Sequence, residues 1–124
     1  LKYASERIQG GKPIIRHQAV KLKLVDMFMK IKAARMLIHD ACAKVEAEYP
    51  PSLIEPSIAK VYASDVAVEV ATEAIQIMGG DGYMKGFGVE KCLRDAKLTQ
   101  IYEGTNEINR LTIADEIIKR RWIA

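Results

Sequence analysis

Cysteine, aromatic residues and long apolar runs are all scarce in this chain, and each shortage closes off a class of protein. Cys42 and Cys92 are its only two cysteines. They are too few for a disulfide framework and lack metal-ligand spacing, so two reduced, buried thiols and no metal site are expected. No apolar run approaches the length that spans a bilayer, and no N-terminal stretch has the charged, apolar and cleavage regions of a signal peptide. The expectation is a cytoplasmic protein, or a mitochondrial-matrix one in a eukaryote, with no membrane partner. The net charge is only +3, and the nine Lys or Arg residues from Lys2 to Arg35 are spread along a helical pattern with almost no aromatics among them. That distribution describes solvated helix faces and argues against nucleic acid.

What is present is a globular composition, 49% hydrophobic and 28% charged. A chain of 124 residues makes one domain, residues 1–124, with room for a core but little for both a cofactor and a substrate pocket. Leu1 to Ile8 has helical composition without a cap and reads as the tail of a preceding helix. Gln9-Gly10-Gly11-Lys12-Pro13 breaks it. A helix resumes near Arg16, with Val20, Leu24, Met27, Ile31, Ala34, Ile38, Ala41 and Val45 forming a bundle seam and Met27, Met29 and Met36 serving as adaptable core. His17, at the start of that helix, is expected in solvent, and neither it nor His39 has a catalytic pairing.

Tyr49-Pro50-Pro51-Ser52 ends that helix. Ser52 and Glu55 offer a capping box, with Pro56 and Ser57 as a competing start. The next segment runs to Met78 and carries Ala59, Ala63, Ala67 and Ala71 at every fourth position, a row that lets another helix approach closely. The two long helices should therefore pack antiparallel. Gly79 fits the left-handed position past a helix end, and the glycines after it suit a loose turn. Val89 to Thr99 is helical again. A last helix starts at Thr105, buries Ile108, Leu111, Ala114 and Ile118, and ends in Lys119-Arg120-Arg121, where positive charge suits the dipole. The fold class is all-α, an up-and-down four-helix bundle.

The stretch Ile101-Tyr102-Glu103-Gly104-Thr105-Asn106-Glu107-Ile108 falls at the joint between the last two helices. Glycine allows the chain an unusual backbone angle there, and Thr105 can accept from the first free amides of the next helix. One carboxylate is thus set beside unpaired N–H groups. Glu103 in such a place suits a general base that removes a proton next to a carbonyl, since the same amides can hold the oxygen that becomes negative. A capping or dipole role is the plainer reading of an acid ahead of a helix.

Taken together, the motifs resemble a family. Glu6-Arg7, Gly11-Lys12-Pro13-Ile14, His17-Gln18, Ala33-Ala34-Arg35, Ala59 to Ser64, Ala74 to Gly80, Leu93-Arg94-Asp95-Ala96 and Ile101 to Thr105 occur in the order and spacing of the C-terminal helical domain of acyl-CoA dehydrogenases. The resemblance covers essentially the whole chain and implies an FAD-dependent oxidation of an acyl-CoA thioester to a trans-2-enoyl-CoA. It implies that Glu103 is the base, and that donors on the thioester oxygen and a dry pocket support it. It further implies that Arg7 and Gln18 contact the FAD of a neighbouring subunit, and that Gln76, Gly79 and Gly80 meet the adenosine portion of a partner's FAD. Thr105 and Glu107 fall next to the flavin on the base's own side, while Tyr102 and Gly104 line the acyl cavity. A homodimer or homotetramer and an electron-transferring flavoprotein are the implied partners.

Two positions depart from the family pattern. Gly10 stands where an aromatic residue is usual, and Gly88 stands where a proline usually precedes Val89. The family's N-terminal helical and middle β domains have no counterpart in these residues, so the chain alone is expected to be inactive. Three alternatives share the sequence features: an acyl-CoA oxidase, a decarboxylating glutaryl-CoA-type dehydrogenase with the same base, and a helical oligomerisation module without chemistry.

Overall fold

A computed structural model describes residues 1–47 and 52–120. The expected turn at Tyr49-Pro50-Pro51 and the terminal Arg121 lie outside the described residues. The helices are α1 (Lys2–Glu6), α2 (Gln18–Ala47), α3 (Ile54–Met78), α4 (Gly80–Tyr83), α5 (Val89–Thr99) and α6 (Asn106–Arg120). Four of them, α2, α3, α5 and α6, form the bundle the sequence implies. α3 is central, packing against α2, α5 and α6.

The alanine row explains that position. Ala59 and Ala71 are buried, and together with Ile54, Val61 and Val66 they make α3 the main contributor to the core. Small side chains let neighbouring backbones come close on more than one side. Ion pairs between α2 and α3 join Lys23 to Glu73, Lys30 to Glu69 and Lys44 to Glu55. The partners ascend one helix as they descend the other, the signature of antiparallel packing. Most of these side chains are half exposed, so the pairs mark register more than they stabilise.

The chain departs from the sequence expectation at several points. Residues 8–13 form a small antiparallel hairpin, β1 (Ile8–Gln9) and β2 (Lys12–Pro13), with Ile8 opposite Pro13 and Gln9 opposite Lys12. Ile8 therefore lies outside any helix. The loop residues Gly10 and Gly11 take φ of 58° and 75°, the positive values that a tight two-residue hairpin turn demands. The His17 ring is partly covered and its Nε2 donates to Gln9 O at 2.9 Å, which braces the hairpin. α2 begins at Gln18, after a 3-10 turn over Ile14–Arg16.

α2 is apolar on two sides, and only one meets α3. Of the expected seam, Ala34 and Ala41 are buried and Val20, Leu24 and Met27 partly so, while Ile31, Ile38 and Val45 are exposed because the helix face that meets α3 does not extend to them. Met29 and Met36 are exposed with Leu22, Val25 and Phe28, so those two methionines are not core. Both cysteines are exposed as well: Cys42 lies on the outside of α2, and the Cys92 thiol donates to Gly88 O at 3.7 Å.

The capping box at the start of α3 does not form as expected. Leu53 is the N-cap residue, and Ser52 Oγ accepts from Ile54 N at 3.3 Å. At the other end Gly79 has a positive φ, 63°, but its ψ of −139° takes it outside the left-handed helical position expected there. The residues after it fold into the single turn α4 rather than a loose loop.

α6 turns a different face inward. Ile108, Leu111 and Ile118 are exposed, as is Ala114, whereas Asn106 is buried and Asn109, Ile113 and Ile117 are partly buried behind it. The helix carries apolar residues on both faces. A buried side-chain amide at its first residue selects between them.

Gly82 is the tightest point of the corner after α3. A Cβ there would lie 2.8 Å from Ile75 O and 2.9 Å from Ile75 Cα, both main-chain atoms. Gly82→Ala should lower stability by about 2 kcal/mol, measured as a shifted midpoint in equilibrium urea unfolding.

Candidate functional site

The joint between α5 and α6 begins where Gln100, Ile101 and Tyr102 turn their amides back onto Lys97 and Leu98. It closes where Asn106 N donates to Gln100 O at 3.0 Å. Inside this loop Glu103 has φ of 52°, the only positive value at a non-glycine among the described residues, and Gly104 follows at 80°. A left-handed conformation at an acidic residue is held by its surroundings rather than preferred. Asn109 supplies much of that hold. Its Nδ2 donates to Gly104 O at 2.9 Å, to Thr105 O at 3.2 Å and to Glu103 O at 3.4 Å.

Beneath the loop lies a polar cluster. Asn106, 3% exposed, donates through Nδ2 to Ser64 Oγ at 2.7 Å and to Asp65 Oδ1 at 2.8 Å, while its Oδ1 accepts from Lys60 Nζ at 2.6 Å. Asp65 also accepts from Gln100 Nε2 at 2.7 Å and Arg110 Nη2 at 2.6 Å. Lys60 donates in addition to Gly104 O at 2.8 Å. Sequence reasoning missed Asn106, Asp65, Asn109 and Gln100, because none belongs to a recurring spacing. The signal that existed was a polar run, Lys60, Ser64 and Asp65, on a helix otherwise built for burial.

The joint brings together Tyr102, Glu103, Gly104, Thr105 and Glu107. Tyr102, Glu103, Gly104 and Glu107 are exposed in this chain. No main-chain carbonyl among the described residues receives the amides of Glu103, Gly104 or Thr105, so these donors are free to meet an incoming oxygen. Thr105 Oγ1 accepts from Ile108 N at 3.4 Å, the expected helix cap. The carboxyl of Glu107 is held below its ordinary range, first by its own main-chain amide and then by the Thr105 hydroxyl.

A second cluster forms at the opposite end of α3. Arg7, Gln76, Gly79 and Gly80 line one open cavity of about 330 Å³ together with Tyr3 and Asp81. The Tyr3 hydroxyl donates to Asp81 Oδ2 at 2.7 Å and approaches Met78 O at 3.2 Å, and its ring meets Phe87 edge to face. Asp81 raises the Tyr3 pKa through that hydrogen bond. The donor set suits a nucleotide: a guanidinium for phosphate oxygens, a carboxamide for a base edge, and a carboxylate able to accept from ribose hydroxyls. Gln18 is exposed at the first turn of α2 and does not line this cavity. No group of three or more His, Cys, Asp or Glu side chains able to hold a metal occurs among the described residues. No described helix is long and apolar enough to cross a membrane.

Comparison with known proteins gives consistent results. The family model for the acyl-CoA dehydrogenase C-terminal domain matches residues 1–118. The short-chain specific acyl-CoA dehydrogenase of Megasphaera elsdenii is 44% identical over 119 residues, covering 96% of this chain and 31% of that protein. The structure of butyryl-CoA dehydrogenase from Megasphaera elsdenii superposes with a TM-score of 0.89 at 46% identity, covering 94% of this chain and 30% of that one. A chain in the structure described as the electron transferring flavoprotein of Acidaminococcus fermentans superposes with a TM-score of 0.91 at 42% identity, covering 95% and 31%. The chain thus spans about a third of the length of the relatives it matches.

Asn106→Ala should destabilise the bundle by about 2 kcal/mol, since it strips a buried partner from Ser64, Asp65 and Lys60; thermal unfolding measures it. Glu107 makes a separate prediction. A carboxyl with a depressed pKa stabilises the fold above its unfolded value, and the contribution is lost as pH falls through the lowered value. Stability below about pH 4.5, the ordinary carboxyl value, should therefore decline less steeply in Glu107→Gln than in the unaltered chain, as followed by unfolding at stepped pH.

Proposed function

This chain belongs to the acyl-CoA dehydrogenase family, and from that premise we propose that it supplies the general base of an FAD-dependent α,β-dehydrogenation of an acyl-CoA thioester. Glu103 is the base. The observation that carries this reading is the joint itself, which presents a carboxylate at positive φ beside three main-chain amides that no main-chain carbonyl among the described residues takes up.

An α-proton of a thioester is too weakly acidic for a free carboxylate at neutral pH. The base therefore needs help of two kinds: donors on the thioester oxygen, which delocalise charge as the proton leaves, and exclusion of water. The amides of the joint supply the first. Glu103 is exposed in this chain, so the second requires a covering surface from outside these residues, and Tyr102 and Gly104 form the near wall of the acyl cavity that results. Glu103 takes the α-proton onto its carboxylate. FAD, when bound, supplies the acceptor for the hydride that leaves the β-carbon, giving a trans-2-enoyl-CoA. Thr105 and Glu107 lie on the flavin side of the joint.

Arg7, Gln76, Gly79 and Gly80 hold the nucleotide part of an FAD contributed by a neighbouring subunit, and Gln18 meets the same cofactor from the start of α2. Support comes from the shared cavity of the first four residues and from its nucleotide-like donor set. Sharing of this kind makes the working protein a homodimer or homotetramer. An electron-transferring flavoprotein is the proposed oxidant of the reduced flavin.

Glu103→Gln in the complete enzyme should lower kcat at least about 100-fold while leaving flavin content unchanged, read by steady-state turnover and the visible flavin band. Normal turnover in that variant would remove the base assignment.

A further inference from the structure

The reaction assigns Glu103 a task but does not say what keeps its loop in place. Asn109 shapes that loop, yet it stands only a few residues away and cannot anchor the loop to the rest of the bundle. Lys60 can. It projects from α3, and its Nζ reaches both Gly104 O at 2.8 Å and Asn106 Oδ1 at 2.6 Å. Asn106 is buried and fixed in turn by Ser64 and Asp65 on the same helix. The ammonium thus bridges a fixed amide and the carbonyl that immediately follows the base.

That contact has a directional effect. In a trans peptide the N–H points away from the C=O, so drawing the Gly104 carbonyl inward turns the Thr105 amide outward. Asn109, drawing on the Glu103 carbonyl, does the same for the Gly104 amide. Positive φ at Glu103 then follows from the loop's closure rather than from any preference of glutamate. We propose that Lys60 is a positioning residue for the base, holding the Glu103–Gly104 backbone so that the carboxylate meets the α-hydrogen while the adjacent amides meet the oxygen of the same thioester. The inference rests on the reading of Glu103 as the base.

The test uses the full-length enzyme carrying Lys60→Met, which keeps the length and apolar stem but removes the ammonium. Turnover of an acyl-CoA should fall on the order of tenfold or more, as displacement of a reacting group does, with KM nearly unchanged. Amide hydrogen exchange should accelerate across residues 100–106 but not across 66–75 of α3. A general loss of packing would instead accelerate both stretches. Unchanged kcat with unchanged exchange at 100–106, or acceleration of both stretches alike, overturns the proposal. If Lys60→Met does not fold, Lys60→Gln, too short to span both acceptors, decides on the same two readouts. Glu103→Gln is run alongside. Should it retain turnover, the base reading fails, while the exchange result still reports on the clamp.

Discussion

A buried primary amide is the constraint on which the joint between α5 and α6 depends. Asn106 is nearly inaccessible to water, and its side chain must find partners for two donors and an acceptor or destabilise the fold. It finds them on α3, in Ser64, Asp65 and Lys60. The requirement fixes α6 against α3 at its first residue. It also settles which of two apolar faces of α6 is buried and pins the end of the loop that bears Glu103. Hydrophobic burial brings these helices together without direction. The amide supplies the direction.

Element type was legible in the sequence because it rests on period. The alanine row of α3 and the helical stretch Val89 to Thr99 gave the helices, and the alanine row the antiparallel hairpin. Phase was less legible where a helix is apolar on two sides. Leu22, Val25 and Phe28 on α2, and Ile108 and Leu111 on α6, are as hydrophobic as the residues that are buried, and periodicity alone does not rank two faces. The hairpin at residues 8–13 was hidden because its strands are two residues long and its glycines also describe a helix break.

The site divides in the same way. Glycine after Glu103 and threonine before the last helix announced a joint, and a capping hydroxyl does occur at Thr105. The polar cluster beneath it left only the polar run Lys60, Ser64 and Asp65 as a trace, since Lys60 and Asn106 are brought together by packing and by no spacing. The grouping of Arg7 with Gln76, Gly79 and Gly80 came from resemblance to a family. Nothing in the chain's own pattern joins its beginning to the end of α3, and the Tyr3 to Asp81 hydrogen bond that does so appears only in three dimensions.

Both clusters hang from α3, one near Lys60 and the other near Gln76. A straight helix rises about 1.5 Å per residue, so these attachment points stand roughly 24 Å apart. α3 is in that sense a ruler, with its scale written in the covalent chain. A single ligand gripped at both marks would have to be extended over that span. Two ligands, each gripped at one mark, would be kept in a repeat distance that no side-chain substitution could alter, only an insertion or deletion within the helix.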